Sequence, residues 1–288
     1  MGGGAWTSSS ATAYVTTAYA SMGTKSLGDF AKLSTDQIYS ARKIDPLLDP
    51  KGVIRECRDS MEHPNTIPII LALDVTGSMG LATKHCATKL NDIMETLYSN
   101  VKDVEFMMMG IGDLAYDSAP IQVTQFESDV RILDQTTKIW FEQGGGGNSY
   151  ESYTAAWYFG LNRTELDCWK RGKKGIIITL GDEPLNPYLP GKKLGYVLNG
   201  QGQEDIDTKE LYQKVIEKFD VYHIAVTDRE SSFDRYEDRI KESWGRLLGQ
   251  RCLYAKSENL PEVISQIVND SMGGCMPVTN TSTEGISW

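Results

Sequence analysis

Three apolar segments of this chain end in aspartate, and this repeated pattern constrains the fold more than any other feature. They are IPIILALD (67–74), VEFMMMGIGD (104–113) and KKGIIITLGD (173–182). Strands of a parallel sheet form continuous apolar runs, because helices cover both faces of the sheet. The three segments therefore predict central strands of such a sheet, with Asp74, Asp113 and Asp182 at its carboxyl edge.

Helical patterns alternate with these strands along the chain. An apolar stripe runs along residues 81–100, which predicts a helix soon after the first strand. The other predicted elements are an edge strand, half-exposed, at 121–126, helices at 130–140, 150–161, 204–219, 237–250 and 260–272, and strands at 221–227 and 251–257. This order predicts an α/β fold class with a mostly parallel central sheet and helices on both faces.

The composition changes near residue 67, and we divide the chain there. We expect an N-terminal arm (residues 1–66), an α/β domain (67–274) and a C-terminal tail (275–288). The first 26 residues are rich in Gly, Ser, Thr, Ala and Tyr and show no helical period. Such a segment has too few apolar side chains to offset its ordering entropy. We expect the arm to be either a flexible tail or a segment that is ordered only on a partner.

The charge balance argues against two classes of partner. The chain has 29 Lys and Arg against 39 Asp and Glu, a net charge of −10. Nucleic acids and anionic membranes bind clustered basic residues, so we expect neither as a partner. No apolar run approaches the roughly 20 residues that span a bilayer, and no secretory signal is visible at the N-terminus. The five scattered cysteines match no disulfide framework, and we expect a cytoplasmic protein.

The polar residues that follow the first strand indicate a cation site. In a doubly wound sheet, ligands bind outside the carboxyl ends of the strands. Asp74, Thr76 and Ser78 can turn three oxygen-bearing side chains around one point there. Asp182, which ends the third apolar segment, could approach the same point. Oxygen ligands without His or Cys suit a hard cation, Mg²⁺ before Ca²⁺.

A glycine cluster, GGGG (144–147), opens a loop that could close this site from another side. The loop is not a phosphate-binding P-loop, because no Lys follows its last glycine. The polar side chains that it offers are Asn148, Ser149 and Glu151.

The sequence DVTGSM (74–79) resembles the D-x-[ST]-x-S motif of von Willebrand factor type A domains, in particular the intracellular bacterial or phage type. The resemblance implies a Rossmann-like fold with one antiparallel edge strand and a metal-ion-dependent adhesion site. It implies that Thr76 and Ser78 bind Mg²⁺ directly, with Ca²⁺ or Mn²⁺ as substitutes, and that Asp74 and Asp182 bind it directly or through water. The family usually adds a Thr from a further loop, which has no equivalent here. Instead GGGGNSYES (144–152) resembles a G-G-G-D-x-P-E variant, with Asn148 as the candidate fifth ligand.

Other interpretations of the same residues remain open. Asp74 could cap the following helix, and Asp182 could be a turn residue. Ser78 could be the nucleophile of a hydrolase, but the first glycine of the nucleophile elbow is replaced by Thr76. The hydrolase would also need a late histidine, and His223 lies inside an apolar strand where we expect it to be packed. A D-x-D phosphatase fits poorly, because Thr76 replaces the second Asp.

The resemblance implies a non-enzymatic, metal-dependent protein-binding module. A Glu or Asp from a partner protein would complete the coordination of the metal. Intracellular members of the family commonly work in multi-protein assemblies or beside AAA+ ATPases, so we expect a scaffold or adaptor with such a partner. The alternatives are a secreted or surface adhesin and an RNA-binding assembly, which the negative charge disfavours. We expect a long loop at 185–203 to border the binding face.

Overall fold

The three apolar segments form neighbouring strands of one sheet in the computed structural model, which describes residues 4–142, 144 and 148–273, apart from the Asn100 side chain. The strands of these residues are β1 (Arg55–Cys57), β2 (Ile67–Asp74), β3 (Val104–Ile111), β4 (Ile121–Val123), β5 (Thr164–Leu166), β6 (Gly175–Gly181), β7 (Tyr188–Leu189), β8 (Ile206–Asp207), β9 (Phe219–Val226) and β10 (Cys252–Ala255). The α-helices are α1 (Ser8–Ala18), α2 (Leu27–Phe30), α3 (Thr35–Ile38), α4 (Gly80–Thr88), α5 (Leu90–Asn100), α6 (Arg131–Thr136), α7 (Ala155–Asn162), α8 (Gly191–Asn199), α9 (Thr208–Val215), α10 (Phe233–Ile240), α11 (Arg246–Leu248) and α12 (Leu260–Ser271). A π-helical segment, Lys241–Gly245, joins α10 to α11.

The central sheet confirms the predicted fold class. Within the described residues it has six strands in the order β10-β9-β6-β2-β3-β4. All neighbours are parallel except β3 and β4, so β4 is the antiparallel edge strand. All eight residues of β2 are buried, because strands flank β2 on both sides and helices cover both faces. The architecture is a mixed α/β sheet of Rossmann-like type.

Alternate residues of the central strands enter two separate cores. Ile69 and Leu71 of β2 face the core that α4, α5 and α12 cover. Ile70 and Ala72 face the opposite core, under α7, α9 and α10. This is the period-two alternation of a strand, and it appears as one continuous apolar run because both faces are buried.

Several predicted elements have different bounds in the structure. The segment 81–100 forms two helices, α4 and α5, rather than one. The predicted helix at 130–140 is shortened to α6. Strand β4 is buried at all three positions, whereas the alternation at 121–126 predicted a half-exposed edge strand.

The predicted loop at 185–203 is wrong, because β7 and α8 lie within it. Two of its glycines allow α8 to pack closely against the segment that follows it. A Cβ atom on Gly191 would lie 1.7 Å from the carbonyl oxygen of Glu204, and one on Gly195 would lie 2.3 Å from that of Gln201. Helix α8 therefore packs against the following segment more closely than any side chain allows. In the sequence, these glycines indicated a loop.

The N-terminal arm packs against the α/β domain of its own chain. The expectation of no helix in its first 26 residues is wrong, since α1 begins after Thr7, whose hydroxyl accepts a hydrogen bond from the Ser10 amide. Ala11, Val15 and Tyr19 are buried, and they lie four residues apart on one helical face. The sequence indicates this helix only through the short apolar stripe, which is difficult to recognise because the surrounding residues are small.

Residues 275–288, the expected C-terminal tail, lie outside the described residues. Within the described part of the chain, no helix combines the length and the apolar character needed to cross a membrane. The four cysteines described there are free and buried, namely Cys57, Cys86, Cys168 and Cys252.

Candidate metal centre

The structure brings together four of the five residues that the sequence assigns to the metal site. Asp74 ends β2, and Asp182 directly follows β6, its neighbour in the sheet. The two strands are parallel, with Leu73 opposite Leu180, so their carboxyl ends meet at one edge. Thr76 precedes a short 3-10 turn that contains Ser78 and leads into α4. The register of the sheet thus brings Asp74 and Asp182 together, and the tight connection after β2 brings Thr76 and Ser78 to the same edge.

Asp74 is fully buried and accepts three hydrogen bonds. Its Oδ1 atom accepts from the Thr76 amide at 2.9 Å and from the Thr76 hydroxyl at 2.5 Å. Its Oδ2 atom accepts from the hydroxyl of Tyr153 at 2.6 Å. Because the Thr76 hydroxyl directs its proton to Asp74, its lone pairs are available to a cation.

Asp182 is fully buried, and its two carboxylate oxygens differ in their hydrogen bonding. Its Oδ2 atom accepts a 2.5 Å hydrogen bond from the Ser232 amide. Its Oδ1 atom is buried and has no hydrogen-bond partner among the described residues. Burial raises the pKa of Asp182, while the Ser232 amide and the Ser78 hydroxyl oppose part of that rise. An unpartnered buried carboxylate oxygen is costly unless a proton or a cation satisfies it.

Asp113 and two glutamates join these two aspartates in one largely buried acidic cluster, called the acidic pocket below, whose members are Asp74, Asp113, Glu151, Asp182 and Glu183. Burial and the Asp182 charge raise the pKa of Asp74 to about 7. Burial and the charges of Asp74 and Glu183 raise the pKa of Glu151 to about 11. Burial and the charges of Asp74 and Asp182 raise the pKa of Glu183 to about 8. A cation would relieve this crowding, because it stabilises the ionised form of every carboxyl in the pocket.

Asn148 contacts Asp113 of the acidic pocket and makes no described hydrogen bond to Asp182 or to the Asp74 loop. Its amide nitrogen donates a 2.8 Å hydrogen bond to Asp113, and its carbonyl oxygen accepts from the Tyr150 amide. The Asn148 side chain is exposed, and no described contact joins it to Asp182 or to the Asp74 loop. Glu151, three residues later, is only 4% exposed, and its Oε2 atom has no partner among the described residues. Glu151 therefore suits the role of fifth ligand better than Asn148 does.

Tyr153 and Glu183 are site residues that the sequence analysis missed. Glu183 follows Asp182 directly, so its position after a buried strand was an available signal. Nothing in the local sequence indicated Tyr153, because its contact with Asp74 depends on a glycine in another element. A Cβ atom on Gly181 would lie 2.2 Å from the Tyr153 hydroxyl oxygen. Only glycine at this position lets the tyrosine reach Asp74.

Packed aromatic rings hold Tyr153 from behind. Its ring centroid lies 5.6 Å from that of His223 and 5.8 Å from that of Trp244. His223 is stacked on Trp244 at 3.8 Å and bonds Thr179 through Nδ1, which confirms the predicted packed position. Burial lowers the pKa of His223 to about 3, and no hydrogen bond of the described residues joins it to Ser78. The geometry gives no support to a hydrolase that uses this pair.

A metal bound here would need the hydroxyl oxygens as well as the carboxylates. Among the described residues, no three His, Cys, Asp or Glu side chains are arranged so that they could hold a metal ion by themselves. The predicted set combines Asp74 and Asp182 with the Thr76 and Ser78 hydroxyls, and this all-oxygen chemistry is the kind that Mg²⁺ takes.

No protein-family model and no curated protein matches the chain. Among solved structures, it is similar to the pilus adhesin SpaC from Lactobacillus rhamnosus GG in an open conformation, at 13% identity and a TM-score of 0.46, covering 77% of this chain and 31% of that one. A second structure of SpaC gives 14% identity and a TM-score of 0.48, with the same two shares, 77% and 31%. Proximal thread matrix protein 1 from the mussel byssus gives 14% identity and a TM-score of 0.46, covering 75% of this chain and 49% of that one. The chain therefore spans less than half the length of each of these proteins.

Proposed function

We propose that this chain is a non-enzymatic, metal-dependent protein-binding module of the von Willebrand factor type A kind, with Mg²⁺ as its cation. The observation that carries the proposal is the Oδ1 atom of Asp182, which is fully buried and has no hydrogen-bond partner among the described residues. The Ser78 hydroxyl acts on the same carboxyl and lowers its pKa. A buried carboxylate oxygen in this state calls for a positive charge, and a divalent cation supplies it.

Four residues would hold the cation, and Glu151 would complete the set. Thr76 and Ser78 would offer hydroxyl oxygens, and Asp74 and Asp182 carboxylate oxygens, directly or through water. Glu151 supports this role because it is buried, it lacks a partner at Oε2 among the described residues, and the Asp74 charge acts on it. Bound Mg²⁺ would neutralise the crowded carboxylates and keep one position for an outside ligand.

The outside ligand would be a Glu or Asp side chain from a partner protein. A carboxylate that displaces a metal-bound water gains a charge-assisted contact with strict geometry. In line with the family resemblance, we place the module in a cytoplasmic multi-protein assembly, as a scaffold or adaptor beside an AAA+ ATPase. The class of partner rests on that resemblance and on the DVTGSM motif.

Capture of a partner with and without metal tests the proposal. The tagged full chain is incubated with lysate of its source organism in Mg²⁺ or in EDTA, and captured proteins are identified by mass spectrometry. We expect partners that are captured in Mg²⁺ and lost in EDTA and in the Asp74→Ala variant. The matched control is Asp92→Ala, which removes an exposed carboxylate on α5. Equal capture in Mg²⁺, in EDTA and by Asp74→Ala would refute a metal-dependent binding surface.

A further inference from the structure

Two cationic side chains act on carboxyls of the acidic pocket. Lys193 lies on α8 and Arg239 on α10, and both are exposed. Burial raises the pKa of Asp113, and the Lys193 charge lowers it in part. The Arg239 charge likewise opposes part of the rise in the pKa of Glu183. Both cations are therefore within electrostatic reach of the pocket. Within the described residues, neither Lys193 nor Arg239 forms an ion pair.

Two tyrosine rings hold the guanidinium group of Arg239. Its Cζ atom lies 5.1 Å from the ring centroid of Tyr150 and 5.4 Å from that of Tyr236. Tyr150 immediately precedes Glu151, so Arg239 is held next to the loop that enters the acidic pocket. An arginine that lies against aromatic rings keeps the N–H groups at its edge available and loses less rotamer freedom when it binds a carboxylate.

The arrangement offers two separate positions for carboxylates on one face. The first would be a coordination position that the bound cation leaves to an outside ligand, and the second is the edge of Arg239. Tyrosine and arginine are enriched among the residues that dominate binding energy in protein interfaces, and this face contains both. The chain as a whole has a net charge of −10, so an acidic partner needs local positive charge on the surface that it binds. The cation and Arg239 would supply that charge on this face.

We infer that the partner presents an acidic peptide segment with two carboxylates, one that binds the cation and a second that pairs with Arg239. This inference rests on the proposed function, since the first carboxylate needs the metal. It adds the chemistry of the partner, an acidic stretch rather than a single Glu or Asp. Arg239 contributes a charge-assisted, bidentate hydrogen bond to the second carboxylate.

Fluorescence polarisation with two labelled peptides tests the inference. The probes are hexaglutamate and a peptide of equal length in which all but one glutamate is replaced by glutamine. In Mg²⁺, the wild-type chain should bind hexaglutamate roughly three- to tenfold more tightly, as expected for one added charge-assisted contact. Arg239→Ala should remove this preference and leave the affinity for the single-glutamate peptide unchanged.

Arg235→Ala is the matched control, because Arg235 is also exposed on α10 and its Cζ atom lies 5.2 Å from the Tyr236 ring centroid. It should keep the preference for hexaglutamate. A preference that survives in Arg239→Ala, or that is absent from the wild type while both peptides still need Mg²⁺, overturns this inference and leaves the proposed function intact. If neither peptide binds, or if binding is equal in EDTA, the inference and the proposed function both fail.

Discussion

The hydroxyl of Tyr153 donates a 2.6 Å hydrogen bond to the Oδ2 atom of Asp74, and both side chains are fully buried. This bond occupies one carboxylate oxygen, while Thr76 bonds the other. Asp74 is therefore fixed in one orientation before any cation binds. Such preorganisation reduces the entropy that a metal site must lose on binding.

Replacing Tyr153 by Phe should weaken both the fold and the metal site. The change removes one oxygen atom and leaves Asp74 Oδ2 buried without its donor, which costs about 1–3 kcal/mol of unfolding free energy. Urea unfolding in EDTA measures this loss, and titration with Mg²⁺ should show weaker binding. Tyr158→Phe is the control, since the Tyr158 hydroxyl makes only a 3.3 Å bond to Gln203. Equal stability losses in the two variants would contradict the role assigned to Tyr153.

The raised pKa of Glu151 makes the stability of the metal-free protein depend on pH. The pKa of this carboxyl is about 11 in the folded protein, against about 4.3 in an unfolded chain. Its stabilising contribution is fully present below about pH 4 and declines as pH rises toward the folded value, because only the unfolded state ionises in that window. In EDTA, the melting temperature should therefore fall between pH 5.5 and pH 8 (conditions within about the window set by these two pKa values).

Glu151→Gln should flatten this dependence, because the amide cannot ionise. Glu262→Gln, which changes an exposed residue of α12, should leave the slope unchanged. Mg²⁺ should stabilise the wild type more at pH 8 than at pH 5.5, since the cation binds the ionised carboxyls. Melting curves at both pH values, in EDTA and in Mg²⁺, provide the measurement. An identical slope in wild type and Glu151→Gln would show that Glu151 is not the group responsible.

The packing of the N-terminal arm predicts that it contributes to the stability of the isolated chain. Phe30 is 1% exposed, and its ring centroid lies 5.0 Å from that of Tyr19. Phe30→Ala should lower the free energy of unfolding by about 3–5 kcal/mol through lost burial and a residual cavity. Met22→Ala, at a position that is 43% exposed, should change it little. Rapid proteolysis of the arm in the intact monomer would instead favour an arm that is ordered only on a partner.

The central strands were predictable because burial on both faces leaves a direct trace in the sequence. The apolar run 67–74 predicted β2 with its observed bounds, and its final Asp74 lies at the carboxyl edge as expected. The joint position of Asp74 and Asp182 followed from the same reasoning, since parallel neighbouring strands end at one edge. These properties depend on local pattern and on general rules of topology.

Features that depend on close contact between distant segments were not predictable. Tyr153 reaches Asp74 only because Gly181 has no side chain. Tyr153 and Gly181 are separated by 28 positions in the sequence. Helix α1 contacts α5, which lies far along the chain, and Val15 is buried in the core that α5 helps to form. The glycines of α8 have the composition of a loop, but they allow a helix to pack against backbone atoms. In each case the partner segment, rather than the local sequence, determines the structure.

Isothermal titration of the metal-free chain with Mg²⁺ tests the central claim most directly. We expect one saturable site in the wild type, its loss in Asp182→Asn, and its retention in Asp92→Asn, which changes an exposed residue of α5. Mg²⁺ at 100 times its dissociation constant should add about 2.7 kcal/mol to the free energy of unfolding. If Mg²⁺ produces neither a binding isotherm nor a rise in melting temperature, or if Asp182→Asn binds it as the wild type does, the acidic pocket is not a metal site.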